Sequence, residues 1–133
     1  MKETNDFWGG KPEPHDYPAA EDYLSLVFTP HEAHAIVQSL RDLAIVRRKA
    51  KDILRASRLA PLEETNRHVR KDLEKVKAGE KLSPVLLVRG NALLDRPLIV
   101  ADGFHRICAS WHMDEDADIP CQIADLPATG ERT

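Results

Sequence analysis

Aromatic residues are scarce in this chain: three Phe, two Trp and two Tyr, with none between Thr29 and Pro97. That gap excludes the base-stacking platforms of a single-strand nucleic-acid binder from the middle of the chain and leaves aliphatic side chains to carry most of the core. Cysteine is nearly as rare. Cys108 and Cys121 are the only two and form no CxxC pair, which argues against a disulfide scaffold and against a zinc ribbon, so both are expected to be buried free thiols. No apolar run approaches the roughly 20 residues that cross a bilayer. Met1–Gly10 is polar and acidic, without the apolar segment of a secretory signal. The expectation is a cytoplasmic protein with no membrane partner.

What is present is ordinary globular composition, 42% hydrophobic and 31% charged over 133 residues, enough for one core but not two. The net charge of −3 is unevenly spread: residues 1–40 carry −5, residues 41–81 carry +6 and residues 82–133 carry −4. A basic middle raises a nucleic-acid-binding face over 41–81 as one reading. The plainer one is a helix with a solvated Lys/Arg-rich outer surface, and DNA is not expected as a partner.

Along the chain, Gly9, Gly10, Pro12 and Pro14 mark an irregular arm, with Phe7 and Trp8 as its anchors. A short helix is expected from Pro18 to Phe28. Thr29-Pro30-His31-Glu32 spells a helix start: Thr29 caps, Pro30 suits the first turn and Glu32 closes a capping box. The apolar positions that follow, from Ala33 through Ile36, Val37, Leu40, Leu43 and Ala50 to Ile53-Leu54, predict one helix of up to seven turns. Over residues 30–56 it offers a face for a homodimer. Further on, the pattern predicts a helix over Glu63–Lys77, a strand over Pro84–Val88, a strand over Leu98–Ala101, a helix over Phe104–His112 and a last strand over Ile119–Ile123, which Pro120 marks as an edge. His31 and His34, and His112 with Asp114–Asp116, are expected to be solvated side chains. The expected fold class is α+β, a small mixed sheet with flanking helices. An N-terminal arm and helical extension (1–57) precede the core (58–127), and a frayed tail (128–133) follows.

One segment carries chemistry. A buried strand delivers the chain to a turn at Asp102, and Gly103 adopts backbone angles closed to other residues while leaving room for a ligand near the main chain. The amides of Phe104, His105 and Arg106 then stand unpaired at a helix N-terminus, where free N–H groups and the helix dipole attract anions. Arg106 adds a guanidinium able to grip phosphate through two hydrogen bonds, and His105 adds a donor or proton carrier. A plain structural turn is the competing reading.

Gly103-Phe104-His105-Arg106-Ile107-Cys108-Ala109 matches the G-x-x-R-x-x-A pattern of the ParB N-terminal domain. The order around it, a Leu/Pro strand at Leu59-Ala60-Pro61-Leu62, a helix, a strand ending Pro-Val-Leu-Leu-Val, the motif and a short strand beginning Ile-Pro, resembles the ParB/sulfiredoxin-like superfamily over about half the chain, residues 58–126. The resemblance implies a nucleotide-binding fold in which this turn holds phosphates, of CTP in ParB proteins and of ATP or ADP in sulfiredoxins and free serine kinases. The implied binders are Gly103, Phe104, His105 and Arg106, with Asp102 at the mouth.

The chain also departs from the family. The catalytic cysteine of sulfiredoxins is replaced by Phe104, and no helix-turn-helix follows within the chain, so neither sulfinic-acid repair nor sequence-specific DNA binding is implied. The Asp-Gly-x-His-Arg spelling is closest to the kinase-like members, which use a carboxylate as base in a loop after the first strand, and Glu63 and Glu64 occupy such a place. The reading is therefore a binder of a nucleoside di- or triphosphate with Mg²⁺, with Asp102 or a glutamate holding the metal and with phosphotransferase or nucleotide hydrolase chemistry as the activity the resemblance implies. A non-catalytic protein-interaction module that keeps the fold is the alternative, ahead of a nucleic-acid binder.

Overall fold

The computed structural model describes residues 7–127; the expected acidic start and the expected tail over 128–133 lie outside them. The chain forms α1 (Asp16–Leu24), α2 (Pro30–Arg41), β1 (Val46–Lys49), α3 (Ala50–Ser57), α4 (Arg67–Lys77), β2 (Val85–Val88), β3 (Ile99–Asp102), α5 (Phe104–Met113) and β4 (Asp118–Ala124). The fold is α+β, with five α-helices among the described residues around a four-stranded mixed sheet of order β1-β4-β2-β3. β4 runs antiparallel to β1 and parallel to β2, and β3 pairs antiparallel with β2. Parallel neighbours need a crossover, and α5 lies within the segment that supplies it.

Both faces of the sheet are covered, so all four residues of β2 are apolar and fully buried. Their alternation divides the core. Leu86 and Val88 pack with Tyr17, Leu24, Ile36, Val37 and Leu40 of α1 and α2. Val85 and Leu87 pack with Ile53, Leu54 and Ile107 of α3 and α5, and with Trp8 of the arm. The Trp8 anchor is held by backbone bonds on either side, Gly9 N–H to Leu82 O and Leu82 N–H to Phe7 O, both 2.7 Å. α4 lies outside this second layer and reaches α5 through Val69, Cys108 and Ala109.

Two expectations are corrected. The long helix over residues 30–56 is three elements. α2 begins with the expected Thr29–Glu32 capping box but stops at Arg41. The Leu43 carbonyl, which a continuing helix needs for its own ladder, instead accepts a 2.7 Å hydrogen bond from Gln122 Nε2 of β4. Val46–Lys49 then pairs with β4 as an edge strand before the chain turns into α3. The apolar stripe that suggested a homodimer face is turned inward, with Ile36, Val37, Leu40, Ile53 and Leu54 all buried. The second correction is Pro120. Its strand is interior, between β1 and β2. Proline is tolerated there because the ladder with β2 starts one residue later, at Cys121.

The burial pattern predicts a contrast between two leucines. Leu86→Ala, at a fully buried position, costs about 2–5 kcal/mol in denaturant unfolding, whereas Leu93→Ala, 95% exposed in the loop between β2 and β3, changes stability by no more than about 0.5 kcal/mol.

Candidate functional site

The turn from β3 into α5 is shaped by two backbone features. The β2–β3 register slips by one between Leu86 and Leu87, since Leu86 faces Asp102 while Leu87 faces Val100. Ala101 is left as the extra residue, and a bulge of this kind bends the strand end and re-aims the next side chain. Gly103 follows with φ +108°, and a Cβ built there would lie 2.5 Å from Val85 Cγ1 and 2.9 Å from Arg106 Nη2. Only glycine fits. No side chain caps α5, so the first-turn amides at Phe104, His105 and Arg106 have no cap from Gly103.

A cleft of about 260 Å³ opens at this helix start, lined by Asp102, Gly103, His105 and Arg106 on one side and by His68, Lys71, Asp72 and Lys75 of α4 on the other. The α4 residues stand at positions i, i+3, i+4 and i+7, one helical stripe. Neither Lys71 nor Lys75 is drawn into an ion pair among the described residues. The His68 and His105 rings meet across the cleft with centroids 4.6 Å apart.

Arg106 does not stand as the free clamp expected from the sequence. Its Nη2 donates to Asp102 Oδ2 at 3.1 Å and to Pro84 O at 3.3 Å, and lies 4.0 Å from Asp16 Oδ2. The Asp16 side chain is 3% exposed and its Oδ2 accepts further hydrogen bonds from Ser83 Oγ and Glu13 N–H, both 2.9 Å. Arg106 Nε is buried with no hydrogen-bond partner. The guanidinium therefore ties α5 to β3, to the start of β2 and to α1. Removing it leaves Asp16 and Asp102 without their cation, a loss of about 3–5 kcal/mol for a buried pair.

Burial pushes the Asp102 carboxyl above the ordinary carboxylate value; Arg106 opposes the rise and Asp16 adds to it. Asp72 is also pushed up by burial, against the nearby charges of Lys75, Arg106, His105 and His68. His105 is pushed down, first by burial and then by His68 and Arg106, while Asp72 pulls the other way. The cleft thus holds two carboxylates pushed up and an imidazole pushed down by burial, with Asp72 and His105 acting on each other.

Of the residues expected from the sequence, Asp102, Gly103, His105 and Arg106 line this cleft, and Phe104 does not: its ring packs against the core on the α4 side. Glu63 and Glu64 are exposed on the chain before α4 and are not among the lining residues. Asp72 is the carboxylate that α4 brings in, together with His68, Lys71 and Lys75. Both cysteines are buried and free, with burial raising Cys121 to about 11, and Cys108 Sγ accepts the Leu62 N–H at 3.3 Å. Among the described residues no group of three or more His, Cys, Asp and Glu is placed to hold a metal by protein ligands alone, and no helix is long and apolar enough to cross a membrane.

The depressed His105 value sets the sign of a pH effect. Between the folded value and the ordinary 6.5 the unfolded chain binds more protons, so this residue's contribution is complete above 6.5 and is lost as the pH falls through the folded value. Urea midpoints measured from about pH 7.5 down to about pH 5 fall less steeply in His105→Gln than in the natural protein. In Asp72→Asn, proton NMR titration finds His105 at a still lower pKa, because the one charge that raises it is gone. No family model, curated protein or solved structure matches the chain.

Proposed function

We propose that the cleft between α4 and the start of α5 binds the phosphates of a nucleoside di- or triphosphate. The observation that carries the reading is convergence: Lys71 and Lys75 from one helix, His68 and His105 between the two, and the uncapped first turn of α5 beside a glycine that no other residue can replace. The motif's resemblance to the ParB/sulfiredoxin-like superfamily supports the same ligand class. The division of labour differs from the sequence expectation. Arg106 builds the site by holding Asp102 and Asp16, and the lysines supply the mobile positive charge that meets the phosphates.

Mg²⁺ commonly binds through one or two carboxylates together with substrate phosphates. The residues fit that use better than a closed protein cage: Asp72 and Asp102 both line the cleft, and Asp102 is already paired with Arg106. Asp72 is accordingly the residue to meet a metal arriving with the nucleotide, which would supply charge neutralisation between phosphates. Asp72 is also the carboxylate inside the cleft from which a base for phosphoryl transfer would be drawn.

Binding is measured by calorimetry and thermal shift with ATP, ADP and CTP, each with and without Mg²⁺. A ligand at a hundredfold over its Kd stabilises the protein by about 2.7 kcal/mol. Lys71→Ala and Lys75→Ala each weaken binding at least about tenfold, the loss of one charge-assisted hydrogen bond, while leaving the unfolding midpoint of the free protein in place. Arg106→Ala is the wrong test, since it removes the structural pair. Absence of binding by every nucleotide, or binding indifferent to both lysine variants, overturns the proposal.

A further inference from the structure

A second cleft, of about 490 Å³, lies on the α3 side of the sheet. Its floor is apolar, made by Ile53 of α3, Leu87 of β2, Leu98 and Ile123 of β4. Five arginines stand around it: Arg48, Arg55, Arg58, Arg89 and Arg96. The loop after β2 brings the last two together. Gly90 packs so closely under the returning chain that a Cβ there would lie 2.5 Å from Arg96 O, and Asn91 and Arg96 exchange backbone hydrogen bonds of 2.8 and 2.9 Å. Three of the arginines have carboxylate partners, Arg58 with Asp95 at 2.6 Å, Arg89 with Asp125 at 2.8 Å and Arg55 with Asp52 at 3.5 Å. Arg48 and Arg96 have none among the described residues, and Asp52 is the one acid in the lining.

We infer that this cleft binds a small amphipathic anion, an aliphatic body ending in a carboxylate or phosphate. The volume is that of a small-molecule site. An apolar floor takes the body, and planar guanidinium forks at the rim match the two oxygens of the head group. Arg55, Arg58 and Arg89 are balanced by Asp52, Asp95 and Asp125, which leaves Arg48 and Arg96 as the unbalanced positive charge at the rim for an anion to meet. Among the described residues no aromatic side chain lines the cleft, so a nucleobase finds nothing to stack on and an aliphatic body is the better match. The floor is the face of the two interior strands that carry Leu87 and Ile123, where the backbone is already paired on both sides, so it offers side chains and not a strand edge to a ligand. This site is independent of the one at α5 and shares no lining residue with it.

Calorimetry of the full chain with decanoate, decyl phosphate, decanol and inorganic phosphate tests it, with vesicles of phosphatidylglycerol as a separate arm. Decanoate and decyl phosphate bind, each further pair of methylenes strengthens binding by roughly tenfold until the cleft is filled, and decanol and inorganic phosphate bind at least about tenfold more weakly. The double variant Arg48→Ala/Arg96→Ala loses at least about tenfold in affinity, as does Ala56→Trp, which fills the cleft from the exposed side of α3. Both keep the unfolding midpoint of the natural protein, and Lys71→Ala binds decanoate unchanged. Equal binding of decanol, indifference to the two arginine substitutions, or binding seen with vesicles and not with the soluble amphiphiles overturns the inference.

Discussion

The hold of the Arg106 guanidinium on Asp102, Pro84 O and Asp16 is the interaction on which the site depends. It joins the first turn of α5 to the end of one strand, the beginning of another and the N-terminal helix. Two carboxylates beside each other would otherwise force one to keep its proton or the elements to separate. With the cation between them they stay in place, and so does the turn at Gly103. That commitment has a functional corollary. A side chain that already satisfies two acids has little to offer an incoming phosphate, so in the proposed site the positive charge for the ligand is assigned to Lys71 and Lys75 of α4.

The fold delivers those charges through the layering of the sheet. α5 is buried against β2 through Ile107, and α4 rests on the outer side of α5 through Val69, Cys108 and Ala109. An apolar seam at one side of α4 thus fixes the direction in which its polar stripe looks. Asn66 starts that helix by accepting from the amides of His68 and Val69 at 3.0 and 3.2 Å, which sets the rotation of the stripe relative to the turn. The electrostatics of the cleft follow from this placement. His105, His68 and Asp72 are close because two helices pack, and Asp72 and His105 shift each other's titration for the same reason.

Much of this was legible in the sequence wherever the cause is local. The capping box at Thr29–Glu32, the buried run at Val85–Val88 and the strand, Asp-Gly turn and helix around Gly103 all follow from residues within a few positions of each other. What escaped has non-local causes. Val46–Lys49 is exposed along its length and largely basic, with nothing of an ordinary strand about it; β4 makes it one by pairing, and Gln122 takes up the Leu43 carbonyl just past the helix before it from 79 residues away. Arg106 reads as a phosphate clamp until Asp16 is brought to it from the far end of the chain. The α4 residues left a signal that can be seen afterwards: His68, Lys71, Asp72 and Lys75 form a polar stripe at helical spacing opposite Val69, Leu73 and Val76. Nothing local says that such a stripe faces a glycine turn rather than water, whereas Glu63 and Glu64, adjacent in sequence to the same helix, do face water.

The most direct test of a phosphate site shared between α4 and the α5 turn is an amide-resolved NMR titration of the full chain with ATP and Mg²⁺. The account predicts that the backbone signals of Gly103, Phe104, His105 and Arg106 and those around Lys71 and Lys75 shift together along one saturating curve, with the Arg106 Nη–H signals still reporting its pair with Asp102. Shifts confined to other surfaces, or none at ligand concentrations that saturate nucleotide-binding proteins, would contradict it.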